Sequence, residues 1–100
     1  MTQELESTIE NYLVREMKKL RAICRKYTSP SYRSVPDRLI IFPNGKIVFI
    51  ELKRNGAVPT EAQLREHERL RKYNQLVLVI DSKKKVDEFL YKFRYCYTEA

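Results

Sequence analysis

The feature that most constrains the fold is a pair of β-branched and aromatic runs, Arg38-Leu-Ile-Ile-Phe42 and Lys46-Ile-Val-Phe-Ile-Glu-Leu-Lys53, separated only by Pro43-Asn44-Gly45. Two such runs around a short Pro/Asn/Gly connection predict an antiparallel hairpin. The turn chemistry then sets its register. A two-residue turn at Asn44-Gly45 would pair Asp37 with Leu52 and aim Asp37 at the opposite face of the sheet from Glu51. Pro43, however, favours the first central position of a type I turn, which leaves Asn44 next and Gly45 at the left-handed position of a three-residue, bulged loop. Phe42 then pairs with Lys46, and counting back sets Asp37 across from Glu51.

Side chains alternate along a strand, so Glu51 and Lys53 leave the same face, and Asp37 joins them there. Two carboxylates whose Cβ atoms are about 4.5 to 5.5 Å apart repel unless a cation or a proton lies between them. Oxygen ligands of this kind suit Mg²⁺ or Mn²⁺. Such a metal lowers the pKa of a bound water and neutralises charge on a phosphoryl oxygen, while an ammonium at Lys53 orients the attacking water or stabilises the transition state. Asp, Glu and Lys are thus the residue types that phosphodiester hydrolysis needs. The spacing of Glu and Lys alone is not specific. Glu16-Met17-Lys18 repeats it on a helical segment, where residues two apart do not share a face.

The remaining elements follow from periodicity and caps. From Thr2 to about Leu20 there is no Gly or Pro, and Leu5, Ile9, Tyr12, Leu13, Met17 and Leu20 recur at helical spacing. Ile23, Cys24 and Tyr27 would extend that helix, but alternation through Ala22, Cys24 and Lys26 suits a short strand, which is the preferred reading. Thr60-Glu-Ala-Gln63 is a capping box that opens a helix running to about Tyr73, with Asn74 as its stop. Gln75 to Ile80 is nearly all apolar and reads as a strand buried on both faces. Ser82 caps a last helix carrying Val86, Phe89, Leu90 and Phe93 on one stripe. The order α-β-β-β-α-β-α predicts an α/β fold with a central mixed sheet flanked by helices, in a single domain over residues 1–100.

Twenty Lys and Arg against thirteen Asp and Glu leave a net charge of +7, which makes polyanions the natural partners. With 43% hydrophobic and 33% charged residues, neither a disordered nor a membrane class fits, and a soluble globule is expected. The longest apolar run, Ile47 to Ile50, is far short of the roughly 20 residues a membrane span needs. Cys24 and Cys96 have no zinc-type spacing and no secretory leader before them, so they read as reduced thiols of a cytoplasmic protein. Candidate DNA contacts are Tyr32 beside Arg33, then Arg38, Arg54 and Lys83, Lys84 and Lys85, although the three lysines suit a solvated helix start equally well. Tyr12 and Tyr73 fall at core-facing positions. His67, on a charged helix without a second ligand at i+4, reads as a core-edge or solvated residue. No organic cofactor and no membrane partner is expected.

Taken together, Val35-Pro36-Asp37-Arg38-Leu39, Phe49-Ile50-Glu51-Leu52-Lys53, Thr60-Glu-Ala-Gln63 and Val79-Ile80-Asp81-Ser82 resemble the VRR-NUC domain of the PD-(D/E)XK nuclease superfamily, in a stand-alone, phage-type form. The resemblance covers nearly the whole chain. It implies a restriction-endonuclease-like core and a Mg²⁺ or Mn²⁺ ion held by Asp37, Glu51 and the main-chain carbonyl of Leu52. Lys53 is then catalytic, and Gln63 lies beside the site. It also implies a first-helix glutamate as a further ligand. Glu6 matches best, but falls with Ile9, Leu13 and Met17 on the face expected to be buried, where an unpaired carboxylate is costly; Glu10 and Glu16 are the alternatives. Ser34 stands where the family usually has Gly, and the family's Gly after the first helix is missing around Arg21.

By the same resemblance the substrate is branched DNA such as a Holliday junction, cut by a homodimer in the cytoplasm of a bacterial or phage-infected cell. Tyr91, Tyr95 and Tyr97 are candidate interface residues. The reading from another class is a non-enzymatic, basic nucleic-acid-binding module, since an α-β-β-β-α order also describes double-stranded RNA-binding domains. Acidic residues beside a bound polyanion argue against it.

Overall fold

The computed structural model describes residues 3–98. Its organising unit is the hairpin. β2 (Arg38–Ile41) and β3 (Ile47–Leu52) pair antiparallel, with Arg38 across from Ile50 and Ile41 across from Ile47. Gly45, at φ +92°, donates its N–H to the Phe42 carbonyl at 2.8 Å, and the Phe42 N–H reaches the Lys46 carbonyl at 2.9 Å. This is the three-residue loop that the turn residues predict. One step beyond the Arg38–Ile50 pair, Asp37 stands opposite Glu51.

Two further strands complete the sheet. β1 (Ile23–Lys26) pairs antiparallel with β2, and the Tyr27 N–H continues that ladder to the Asp37 carbonyl at 2.9 Å. β4 (Leu76–Ile80) runs parallel to β3, with Val79 beside Glu51, so the spatial order is β1-β2-β3-β4. The short segment is therefore a strand and does not prolong the first helix.

Alternation divides the sheet into two chemically different faces. Val48, Ile50 and Leu52 of β3, with Ile40 and Phe42, meet Ile9, Leu13 and Met17 of α1 (Glu6–Lys19) and Val86 and Phe89 of α3 (Lys83–Lys92) in one apolar core. Each such side chain, fully removed from water, stabilises the fold by roughly 1.5 to 3 kcal/mol. The other face carries Asp37, Phe49, Glu51 and Lys53. α2 (Glu61–Lys72) crosses it, anchored by the Arg71 guanidinium on the Val77 carbonyl at 2.8 Å. A short 3₁₀ turn, Arg94–Cys96, follows α3, and its Cys96 carbonyl accepts the Asn44 N–H at 3.2 Å, which ties the hairpin loop to the chain's last described segment.

The helix ends explain themselves locally. Thr60 and Gln63 form the expected reciprocal capping box, and the Ser82 hydroxyl accepts the Lys85 N–H at 3.0 Å. α1 and α2 both end in a Schellman motif: Ala22 N–H to the Met17 carbonyl at 3.1 Å, and Gln75 N–H to the Leu70 carbonyl at 3.1 Å. The left-handed residue is Asn74 (φ 63°) in one and Arg21 (φ 60°) in the other.

Three expectations change. α1 begins at Glu6; the expected start at Thr2 lies outside the described residues, and residues 3–5 are not helical. They are held elsewhere: the Glu4 carbonyl accepts the Asn55 N–H at 3.0 Å, and the Glu4 carboxylate accepts the Lys83 N–H at the start of α3 at 3.2 Å. β4 is not buried on both faces, because it ends the sheet and leaves Leu76, Leu78 and Val79 only half-covered. Tyr73, expected to face the core, is 74% exposed because it follows the last turn of α2 and turns away with the Schellman bend.

Candidate active site

The site is built where β3 leaves the sheet. Glu51 is 1% exposed and is held from α2 by two residues one helical turn apart: Gln63 Nε2 donates to Glu51 Oε2 at 3.2 Å, and His67 Nε2 lies 3.2 Å from Oε1. Gln63 is itself fixed, since its Oε1 accepts the Thr60 N–H at 2.9 Å as part of the cap. Lys53 Nζ stands 3.8 Å from Glu51 Oε2, while its N–H continues the ladder to the Ile80 carbonyl at 3.0 Å. Asp37 Oδ2 accepts the Leu52 N–H at 2.7 Å, which locks its carboxylate across the strands. Sheet, hairpin and cap thus converge on two acids, a lysine, an imidazole and one amide.

The electrostatics follow from this crowding. Burial, then the negative charge of Asp37 and a hydrogen bond with it, push the Glu51 carboxyl up to about 8, against a smaller opposing pull from Lys53. The Glu51 carboxyl is thus disfavoured as an anion beside Asp37, and a divalent cation is a species that would relieve that repulsion. Among the described residues no three His, Cys, Asp or Glu side chains gather as a metal cage. A pair of carboxylates with a nearby main-chain carbonyl is instead the donor set of an ion such as Mg²⁺, which keeps several of its waters.

His67 is the residue that sequence reasoning undervalued. It is completely buried, not edge-lying or solvated, and its Nδ1 is, among the described residues, the buried side-chain nitrogen or oxygen without a partner. Burial first, and the Arg71 charge next, lower its pKa, so the neutral ring faces Glu51. The available signal was its spacing of four from Gln63, which puts both on one helical face.

Other predicted residues scatter. Glu6 is exposed, not buried with Ile9, Leu13 and Met17, because it opens α1 in the turn before the first buried residue, Ile9. Partial burial of its carboxyl and the charge of Asp37 raise its pKa, which puts it at the rim of the site. Glu10 is bonded to Arg38 at 2.9 Å, and Glu16 to Lys19 at 2.8 Å. Arg38, expected to contact DNA, points to the helix-covered face opposite Asp37, as adjacent strand positions must. Lys85 is paired with Asp81 at 3.0 Å, and the Lys83 ammonium sits over the Tyr12 ring at 5.6 Å. Lys84, Arg54, Tyr32 and Arg33 are exposed. Tyr97 is absorbed by the core: it stacks on Phe42 and donates to the Leu90 carbonyl at 2.7 Å.

A mixed four-stranded sheet between helices, with paired acids and a lysine at the end of its central hairpin, defines the restriction-endonuclease-like α/β class. No family model matches the chain. It is 51% identical over 77 residues to "Putative nuclease p44" of Acyrthosiphon pisum secondary endosymbiont phage 1, covering 77% of this chain and 83% of that protein. A solved structure described as a VRR_NUC domain superposes with a TM-score of 0.82 at 36% identity, covering 87% of this chain and 94% of that one. The chain belongs to the VRR-NUC nuclease family.

Proposed function

We propose that this chain is a Mg²⁺- or Mn²⁺-dependent endonuclease that hydrolyses DNA phosphodiesters, acts on branched DNA such as Holliday junctions, and works as a homodimer in the cytoplasm of a bacterial or phage-infected cell. The observation that carries the reading is the buried Glu51 beside Asp37, whose carboxylate is fixed on the Leu52 N–H at 2.7 Å, with Lys53 at 3.8 Å from Glu51, set in a chain of net charge +7. A binding module gains nothing from burying acids beside a polyanion. Residues 1–100 are read as one nuclease domain. No helix among the described residues is long and apolar enough to cross a membrane.

The roles divide by position. Asp37, Glu51 and the Leu52 carbonyl would hold the cation, with Glu6 at the rim available to a metal-bound water. When bound, the ion would activate a water and neutralise phosphoryl charge. Gln63 and His67 hold Glu51 so that its oxygens stay oriented, and Lys53 supplies a fixed positive charge to the oxygens of the pentavalent transition state. Tyr91 and Tyr95, 68% and 58% exposed on the last helix and turn, are the aromatics left for an interface after Tyr97 is taken by the core. Two protomers are needed for a symmetric cut of a four-way junction, and a two-fold dimer is the smallest closed arrangement.

The deciding experiment incubates the protein with labelled linear, flap and four-way DNA in Mg²⁺, Mn²⁺ or EDTA. Cutting is expected with either metal and none in EDTA. Lys53→Ala should lose about a hundred-fold or more in cleavage while DNA affinity stays within a few-fold, the size of effect of one preorganised charge. No hydrolysis of any substrate with either metal would favour the binding module.

A further inference from the structure

Two cavities open beside the site, and they share a wall. One, about 320 Å³, is lined by Tyr27, Thr28, Ser29, Tyr32, Arg33, Val35 and Asp37, and so reaches the site itself. The other, about 280 Å³, lies between the loop of residues 28–36 and the outer side of α2, where Arg65 and Arg69 join Arg33. Tyr32 and Arg33 border both, which makes one trough from Asp37 to α2. Glu66 also lines it, but is bonded to Arg69 at 3.0 Å with only 13% of its side chain exposed. Three guanidinium groups against that one carboxylate leave the second cavity positive.

Each cavity is at the small end of ligand-pocket size, too narrow to take a duplex. Tyr32 is 57% exposed and is the aromatic ring that stands between them. A positive groove with an aromatic platform is the arrangement that holds a single strand: phosphates lie along the arginines, and a base stacks on the ring without regard to sequence. On the reading of this chain as a DNA nuclease, we propose that the trough binds an unpaired DNA strand next to the scissile bond, with Tyr32 stacking a base and Arg33, Arg65 and Arg69 holding its phosphates. Selection of branched over linear DNA then comes from the need for a strand that can leave the duplex and enter the trough. The path runs over α2, away from Arg38 and Lys85, which line neither cavity.

The test is fluorescence anisotropy in EDTA, where binding is separated from cleavage, with labelled single-stranded, flap and blunt duplex DNA. The native protein should bind flap and single strand at least about ten-fold tighter than duplex. The variant Tyr32→Ala/Arg65→Ala/Arg69→Ala should lose about ten-fold on flap and single strand and less than about two-fold on duplex. Its salt slope on single strand should fall by about 1.4, from two phosphate contacts at roughly 0.7 each. Glu66→Gln should tighten single-strand binding, which loss of a merely structural ion pair would not do. Lys18→Ala/Lys92→Ala, with the same change in charge on other exposed helix faces, should leave all three affinities within about two-fold. Equal losses on duplex and single strand, or equal losses in the charge-matched control, would overturn the trough. If the native protein cuts DNA but ignores Tyr32, Arg65 and Arg69, the trough alone fails; if it binds none of the three DNAs, the nuclease reading fails with it.

Discussion

The two faces of β3 are made by alternate residues of one six-residue strand, and they follow opposite rules. On one, Val48, Ile50 and Leu52 are 0%, 0% and 1% exposed and pack in an apolar core with side chains from α1 and α3. On the other, Glu51 is as deeply buried but meets Asp37, Gln63, His67 and Lys53. The first face stabilises the protein by removing carbon from water. The second buries a carboxyl and an imidazole whose hydrogen bonds only partly offset the loss of hydration. Stability and chemistry are thus interleaved at a spacing of one residue.

The largest separable effect should come from the apolar face. Ile50→Ala removes a fully buried side chain from the apolar core, one residue from Glu51 on the same strand, and is expected to cost about 2 to 5 kcal/mol in urea unfolding. Metal-dependent cutting by the fraction that remains folded should persist. If cutting vanishes in material shown to be folded, the two faces are not separable.

A smaller effect, with a distinctive sign, should come from the polar face. Glu51 has a folded-state pKa of about 8 against 4.5 when unfolded, so between those values the native state holds the extra proton. Stability from this group is complete at low pH and is lost as pH rises through 8. Between pH 7 and 9 in EDTA the native protein should lose on the order of 1 kcal/mol that Glu51→Gln does not lose. The window avoids His67, whose lowered pKa acts below 6.5. Thermal melts with equal pH slopes for both proteins would mean that Glu51 is not held as the structure has it.

The smallest effect lies outside both faces. Arg21 occupies at φ 60° a left-handed position that favours glycine. Arg21→Gly relieves a Cβ strain of about 1 kcal/mol and should raise the melting temperature by a few degrees without changing cutting. Asn74, a residue that tolerates that region, should show little gain from the same change. A lower melting temperature for Arg21→Gly would show that the arginine side chain outweighs its backbone strain.

What was legible in the sequence is what local chemistry decides. Pro43 and Gly45 set the hairpin register, Thr60 with Gln63 and Ser82 mark helix starts, and Asn74 marks a stop, because each acts on neighbours a few residues away. What was missed needs the tertiary arrangement. His67 looks solvated on its own helix, and only the crossing of α2 over β3 brings it to Glu51. Arg38 looks like a DNA contact until strand alternation points it at Glu10. The exposure of Glu6 depends on where α1 starts, and the half-open face of β4 on its position as the last strand. Nothing local singles out Arg65 and Arg69, because the loop that faces them comes from about thirty residues earlier in the chain.

The hairpin loop at Pro43-Asn44-Gly45 sits at the far end of the strands from Asp37 and Glu51, yet it counts for them. Strand side chains have a period of two, so the parity of that loop decides whether the two acids meet or face opposite sides. Removing one residue there would leave most side-chain identities in place, and would still exchange the oily face of one strand for its charged face relative to the other. The loop therefore behaves as a frame-keeper: its length, more than the identity of its residues, is the inherited instruction that brings Asp37 and Glu51 together from a distance.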